Sequence, residues 1–172
     1  MKSTLFAGSI IVLALSACST KEDSSSKTNF NNDFETVGYW TESPKVVRDA
    51  SHSGNFATFT DSSSIYSQTL NVRVKDLKVK DIKAITASVW VLSNAQDAKG
   101  KFVLSIEKDG KNIVWQGVET QKSMHEVNKW AEVKLRVDLK AKLYDDMILK
   151  LYGINDGVRR IYWDDFSINF EE

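Results

Sequence analysis

The stretch from Arg160 to Phe170, Arg-Ile-Tyr-Trp-Asp-Asp-Phe-Ser-Ile-Asn-Phe, limits the fold more than any other. Tyr162, Phe166, Ile168 and Phe170 share one parity, and Trp163, Asp165, Ser167 and Asn169 the other. This is the period-2 pattern of a strand with one face in a core. Asp164 falls on the inward parity, beside Tyr162 and Phe166. An unpaired carboxylate in a core either costs several kcal/mol or takes up a proton, so its charge needs compensation. Three sources are open: a basic side chain such as Arg159 or Arg160, a run of backbone N–H groups, or a bound hard cation such as calcium.

Runs with strand-like alternation or β-branched content recur upstream, at Val46 to Arg48, Phe56 to Thr60, Ile65 to Val74 and Ile82 to Leu92. In the last of these Ala87, Val89 and Val91 share one face, and Ser88, Trp90 and Leu92 the other. Phe102 to Glu107 and Ile113 to Val118 flank Asp109-Gly110, the strongest hairpin signal in the chain. Ala131 to Leu139 puts Ala131, Val133, Leu135, Val137 and Leu139 inward, with Glu132, Lys134, Arg136 and Asp138 outward. Met147 to Gly153 precedes the final strand. Helical spacing is poor, apart from a short turn within Asp76 to Asp81 or Gln121 to Asn128. Many short strands with no intervening helix predict an all-β, antiparallel β-sandwich, most simply a jelly roll.

The front of the chain predicts the compartment. Met1 and Lys2 precede an apolar run from Leu5 to Leu15, too short to span a bilayer comfortably, and then Ser16, Ala17 and Cys18. Leu15-Ser16-Ala17-Cys18 resembles the bacterial lipobox, whose Cys becomes the acylated first residue of a lipoprotein; the alternative is an ordinary signal peptide ending near a chance Cys. Residues 1–17 are thus expected to be a signal peptide and Cys18 the lipidation site. Cys18 is the only cysteine, so the domain can form no internal disulfide. Residues 18–32 are almost all polar and read as a flexible tether, leaving 33–172 as the sandwich domain. Lys21-Glu22-Asp23 resembles the tag that sends some lipoproteins to the cell surface. The expected location is the outer membrane, by lipid anchor, with surface display one option.

Lys and Arg number 23, against 23 Asp and Glu, and this balance gives no electrostatic case for nucleic acid. His52 and His125 are the only histidines, and neither sits near a nucleophile motif or at zinc-ligand spacing. No Gly-rich phosphate loop is present, and no pair of carboxylates stands out for glycoside hydrolysis. A non-enzymatic role is the simpler expectation.

Asn32-Asp33-Phe34-Glu35, Trp40, Asp49-Ala50-Ser51-His52-Ser53-Gly54-Asn55, Ser88-Val89-Trp90-Val91, Trp130-Ala131-Glu132-Val133 and Ile161-Tyr162-Trp163-Asp164-Asp165-Phe166 occur in one order. Together they resemble the galactose-binding-like jelly-roll modules that accompany xylanases and other glycanases. The resemblance implies a structural calcium held by Glu35, by the loop from Ser51 to Asn55 through its carbonyls, and by Asp164, with Asp33 and Asp49 as further candidates. The alternative leaves Glu35 and Asp49 in solvent and pairs Asp164 with an arginine or a turn.

Aromatic side chains on mixed polar faces are the places to seek a sugar platform. Trp90 shares a face with Ser88, Tyr152 with Lys150, Trp115 neighbours Gln116, and Trp163 is placed opposite to Phe166 and Ile168. For each, the alternative is a sandwich core, and Trp40 and Trp130 fit core plugs better. The expected function is a non-catalytic lipoprotein presenting a glycan-binding sandwich at the envelope. Its rival is a structural or protein-interaction subunit of an envelope complex on the same fold.

Overall fold

A computed structural model describes residues 29–36, 45–77 and 79–172. The expected signal peptide, Cys18, Lys21 to Asp23 and Trp40 lie outside the described residues. Ten strands follow in order: β1 (Asn29–Asn32), β2 (Val46–Val47), β3 (Ala57–Thr60), β4 (Leu70–Arg73), β5 (Ala84–Leu92), β6 (Gly100–Lys108), β7 (Lys111–Glu119), β8 (Ala131–Asp138), β9 (Ile148–Asn155) and β10 (Ile161–Glu171). Single 3-10 turns at Val74–Leu77 and Thr120–Lys122 overlap the two short turns expected from sequence.

The strands form two antiparallel sheets, as expected. One runs β2-β3-β10-β5-β8, with β1 also paired to β10; the other runs β4-β9-β6-β7. The β6–β7 hairpin closes at Asp109 and Gly110, which have φ of 50° and 73°. Two successive residues at positive φ give the turn twist that matches paired strands, and the Lys108–Lys111 pair follows from it. Val133, Leu135 and Val137 of β8 and Ala87, Val89 and Val91 of β5 are buried, so both alternations hold. Between the sheets these residues meet Phe102, Leu104 and Ile106 of β6 and Leu149 and Leu151 of β9. Phe166 sits edge-on to both Phe34 and Phe102, at ring separations of 5.5 and 5.6 Å.

Strand β10 departs from strict alternation. Ile161 and Trp163 are fully buried, and so are Phe166 and Ile168. The change of parity occurs at a register shift against β5 between Asp164 and Ser167, where Asp165 has φ of 48°. One extra residue in the strand turns the later side chains over, which is a β-bulge. The inward parity read from sequence therefore holds only after the bulge. Trp163, expected on an outward, ligand-binding face, is instead a core residue at 0% exposure, its Nε1–H donating to Thr60 Oγ1 at 3.0 Å. Tyr162 is only partly buried.

The tether boundary also needs correction. Asn29 to Asn32 pair with Asn169 to Phe166, so the sheet begins before residue 33. Phe30 supplies the reason, packing edge-on to Phe170 at 5.9 Å.

Trp163 fits because β9 carries no side chain beneath it. A Cβ built on Gly153 falls 2.5 Å from the Trp163 indole. Gly153→Ala should therefore force the ring or strand β9 aside. We expect a loss of about 1–3 kcal/mol in denaturant unfolding, the usual cost of overpacking a core. Unchanged stability would mean that the two sheets slide apart freely at this point.

Candidate functional site

The bulge decides where Asp164 goes. Asp164 pairs in register with Trp90, which pairs with Glu132, and Val89 and Val91 on either side of Trp90 are in the core. Paired residues of an antiparallel ladder share a face, so Asp164 points to the outer surface of the six-stranded sheet. It is still fully buried, because the loop from Ser51 to Asn55 lies over it. The backbone N–H groups of His52 and Ser53 donate to Asp164 Oδ2 at 2.6 and 3.2 Å, and the N–H of Asp165 donates to Oδ1 at 2.7 Å. Backbone N–H groups thus supply compensation for its charge. Arg160 is engaged elsewhere, donating to Asp61 at 2.9 Å.

The same loop is gripped twice more. Glu35 Oε1 accepts the N–H groups of Asn55 and Phe56 at 2.6 and 2.8 Å, and these donors hold its carboxyl below the usual range. Asp165 accepts from Ser53 Oγ at 2.6 Å and lies 2.5 Å from His52 Nδ1. The imidazole stacks on Trp90 at 3.9 Å, with the planes 11° apart, and meets Trp130 edge-on at 5.6 Å. The Ser53 hydroxyl thus donates to Asp165, the carboxylate that also contacts the imidazole.

The residues expected to hold calcium are thus drawn together, but as a hydrogen-bond clasp. Both carboxylates are turned onto N–H donors, Asn55 offers Glu35 its amide nitrogen at 3.2 Å, and Ser51 Oγ donates to the Gly54 carbonyl at 3.1 Å. Calcium takes oxygen ligands presented outward to the ion. Among the described residues no group of three or more His, Cys, Asp and Glu converges for a metal. As arranged, both carboxylates face N–H donors, and a cation here would need them turned towards it.

The four aromatic candidates separate. Trp163 is in the core, Trp90 lies on the outer face of the six-stranded sheet, and Trp115 and Tyr152 share the outer face of the other sheet. Leu104 and Leu151 pair inward, so the alternate pairs Val103–Tyr152 and Ser105–Lys150 face out, and Trp115 pairs with Ser105. Two strand spacings separate β7 from β9, or about 10 Å. Trp115 is 49% exposed, and its ring lies over Gly117, where a Cβ would come within 3.0 Å of the indole. Tyr152 is braced edge-on by Tyr66 at 5.8 Å.

Tyr66, itself 46% exposed, was not singled out from the sequence. Its only signal was an aromatic beside Ile65 at the start of a strand-like run. On the same face Lys150 Nζ bonds Glu107 Oε2 at 2.7 Å, with both side chains about three-quarters covered. Asn71 stands opposite Lys150 on β4. This face therefore offers exposed rings at two places together with an ion pair and an amide.

Seventy-nine solved chains resemble this fold. The CBM22-2 xylan-binding domain from Paenibacillus barcinonensis Xyn10C aligns at 17% identity and a TM-score of 0.57, over 83% of this chain and 99% of that one. The C-terminal family 22 carbohydrate binding module of Clostridium thermocellum Xyn10B aligns at 13% identity and 0.54, over 82% and 91%. An arabinose-bound MgGH51 α-L-arabinofuranosidase aligns at 14% and 0.54, over 82% of this chain but only 24% of that one. No family model matches the sequence, and no curated protein does. At these identities the likeness shows the fold, a jelly-roll β-sandwich of the kind seen in carbohydrate-binding modules.

Burial pushes the Asp164 carboxyl from its ordinary 3.8 up to about 6, against the pull of its N–H donors. Between those two values the folded protein keeps a proton that the unfolded chain has released. The stability due to this group is full below 3.8 and is lost as pH rises through 6. We expect the wild-type stability, less that of Asp164→Asn, to fall by up to about 3 kcal/mol from about pH 3.5 to about pH 7. A difference that rises with pH would mean that the N–H groups hold the carboxyl below its ordinary value, and one independent of pH that burial and the N–H groups cancel.

Proposed function

We propose that this chain is a non-catalytic, lipid-anchored envelope protein whose sandwich binds a polysaccharide on the outer face of its four-stranded sheet. The observation that carries the reading is that Trp115 and Tyr152 share one outer face, with Lys150, Glu107 and Asn71 on the same face. Stacked rings supply the apolar contact that sugar C–H faces take up, and amide, ammonium and carboxylate groups match the hydroxyls. The rings are held in place before any ligand arrives, Trp115 by Gly117 and Tyr152 by Tyr66, which lowers the ordering cost of binding. Modules of this fold whose names describe them as xylan-binding give the reading further support.

Trp115→Ala and Tyr152→Ala should each weaken binding on a glycan array or in affinity gels by at least about tenfold, with melting temperatures unchanged, because each removes a stacking surface of one to a few kcal/mol. An array on which the wild type binds nothing would favour the rival, a protein-interaction subunit. That alternative rests on the edge strand β7, which exposes Ile113 at 48% beside Trp115.

Anchoring is proposed at Cys18. Cys18→Ser should abolish labelling by fatty acid and leave the protein soluble or unprocessed, since one buried acyl chain binds only weakly and a mature lipoprotein carries several. Membrane retention equal to wild type would remove the anchor from the account.

Calcium at the clasp is a separate proposal, and it requires Glu35 and Asp164 to turn from N–H groups towards the ion. It calls for a melting temperature that falls on chelation; a temperature unmoved by chelator leaves the N–H groups as the whole compensation.

A further inference from the structure

At the end of the sandwich where β4 and β8 finish and β5 and β9 begin, two links face each other across a cavity of about 490 Å³. One link carries the chain from β4 to β5 and the other from β8 to β9. The volume is within the range of small-molecule sites. Val74, Val79 and Ile82 line the cavity and are buried members of the core, and Leu143 packs against that core as a half-buried neighbour. The floor is therefore aliphatic. Among the described residues its lining holds no aromatic ring for a sugar to stack on.

The rim carries both signs of charge. Lys142 Nζ lies 3.0 Å from Asp81 Oδ1, a pair that joins one link to the other. Lys75, Lys80 and Asp145 remain, all exposed, and their side chains have no ion-pair or hydrogen-bond partner among the described residues. An aliphatic floor beneath two free ammonium groups and one free carboxylate matches a molecule with an apolar body, a phosphate and an ammonium.

The place of the cavity points the same way. Asn29 pairs with Asn169, and Ala84 with Glu171, so β1 enters its sheet from the end that holds the cavity. Cys18 lies eleven residues before Asn29, at most about 40 Å of extended chain. Under the anchoring proposed at Cys18, this is the end of the domain held towards the bilayer.

We propose that the cavity is a lipid-binding site that takes one zwitterionic glycerophospholipid. Part of one acyl chain packs on Val74, Val79, Ile82 and Leu143, the phosphate meets Lys75 and Lys80, and a primary ammonium meets Asp145. The site gives the domain a non-covalent hold on the membrane besides the anchor. The strands then stand away from the bilayer, with the outer faces of both sheets open to the side.

The test is an NMR titration of the isotopically labelled full-length protein carrying Cys18→Ser, which has no acyl chain of its own. The ligand is dihexanoyl phosphatidylethanolamine below its micelle-forming concentration, and the Val79, Ile82 and Leu143 methyl signals should shift and saturate. Glycerophosphoethanolamine has the same headgroup and no acyl chain, and should bind at least about tenfold more weakly, since each methylene seated on the floor is worth about fourfold. Lys75→Glu combined with Lys80→Glu should weaken lipid binding at least about fivefold and leave the melting temperature unchanged, because both positions are exposed. Asp145→Asn should remove a preference for this lipid over dihexanoyl phosphatidylglycerol, whose headgroup keeps the phosphate and lacks the ammonium. Methyl signals unmoved by the lipid would overturn the site. Binding of the chainless headgroup as tight as that of the lipid would show an ion site only and overturn the lipid assignment, as would full affinity in the doubly substituted protein.

Discussion

The single extra residue in β10 is the constraint on which the rest of the molecule depends. β10 lies inside the larger sheet, with β5 along one side and β3 and then β1 along the other. A strand without a bulge could bury Trp163 or Phe166, but not both, because the two are an odd number of residues apart. Asp165 absorbs the difference by taking a positive φ, a conformation that Asp tolerates better than most side chains. Two aromatic anchors then enter the core, and two adjacent carboxylates are left on the outside. The loop from Ser51 to Asn55 folds down to meet them. The clasp, the stacked imidazole and the position of Trp90 all follow from that one insertion.

Asp164 shows how burial and location differ. A fully buried carboxylate suggests the core, yet this one is on the outer face of a sheet and is hidden by a loop of polar residues. Three N–H groups supply partial positive charge at short range without another ionised group. The larger effect is still desolvation, which is why the carboxyl holds its proton to higher pH than usual. Glu35 binds the same loop but stays near solvent, and there the hydrogen bonds prevail and its carboxyl is shifted the other way.

Much of the sandwich was legible because it obeys local rules. The β8 alternation, the two faces of β5 and the Asp-Gly turn each depend on a few neighbouring residues. What was not legible depends on partners distant in sequence. Asn29 to Asn32 contains one apolar residue, and only β10 makes it a strand. Period-2 counting assigned Trp163 to the wrong face because counting cannot register an inserted residue, although Asp164-Asp165 marked the place. The outward directions of Trp115 and Tyr152 were separately readable, but that they share a sheet follows only from the order β4-β9-β6-β7. Tyr66 lay outside any clear alternation and had nothing to distinguish it.

Strand β1 has a mechanical consequence. Any pull delivered through the chain preceding Asn29 enters the domain at β1, a four-residue strand whose described sheet partner is β10 alone. A ladder this short is easily undone. Peeling it away would strip Phe30 from Phe170 while leaving β10 paired to β5 along most of its length. The first strand can therefore act as a fuse between the load and the core, yielding under tension before the two sheets part.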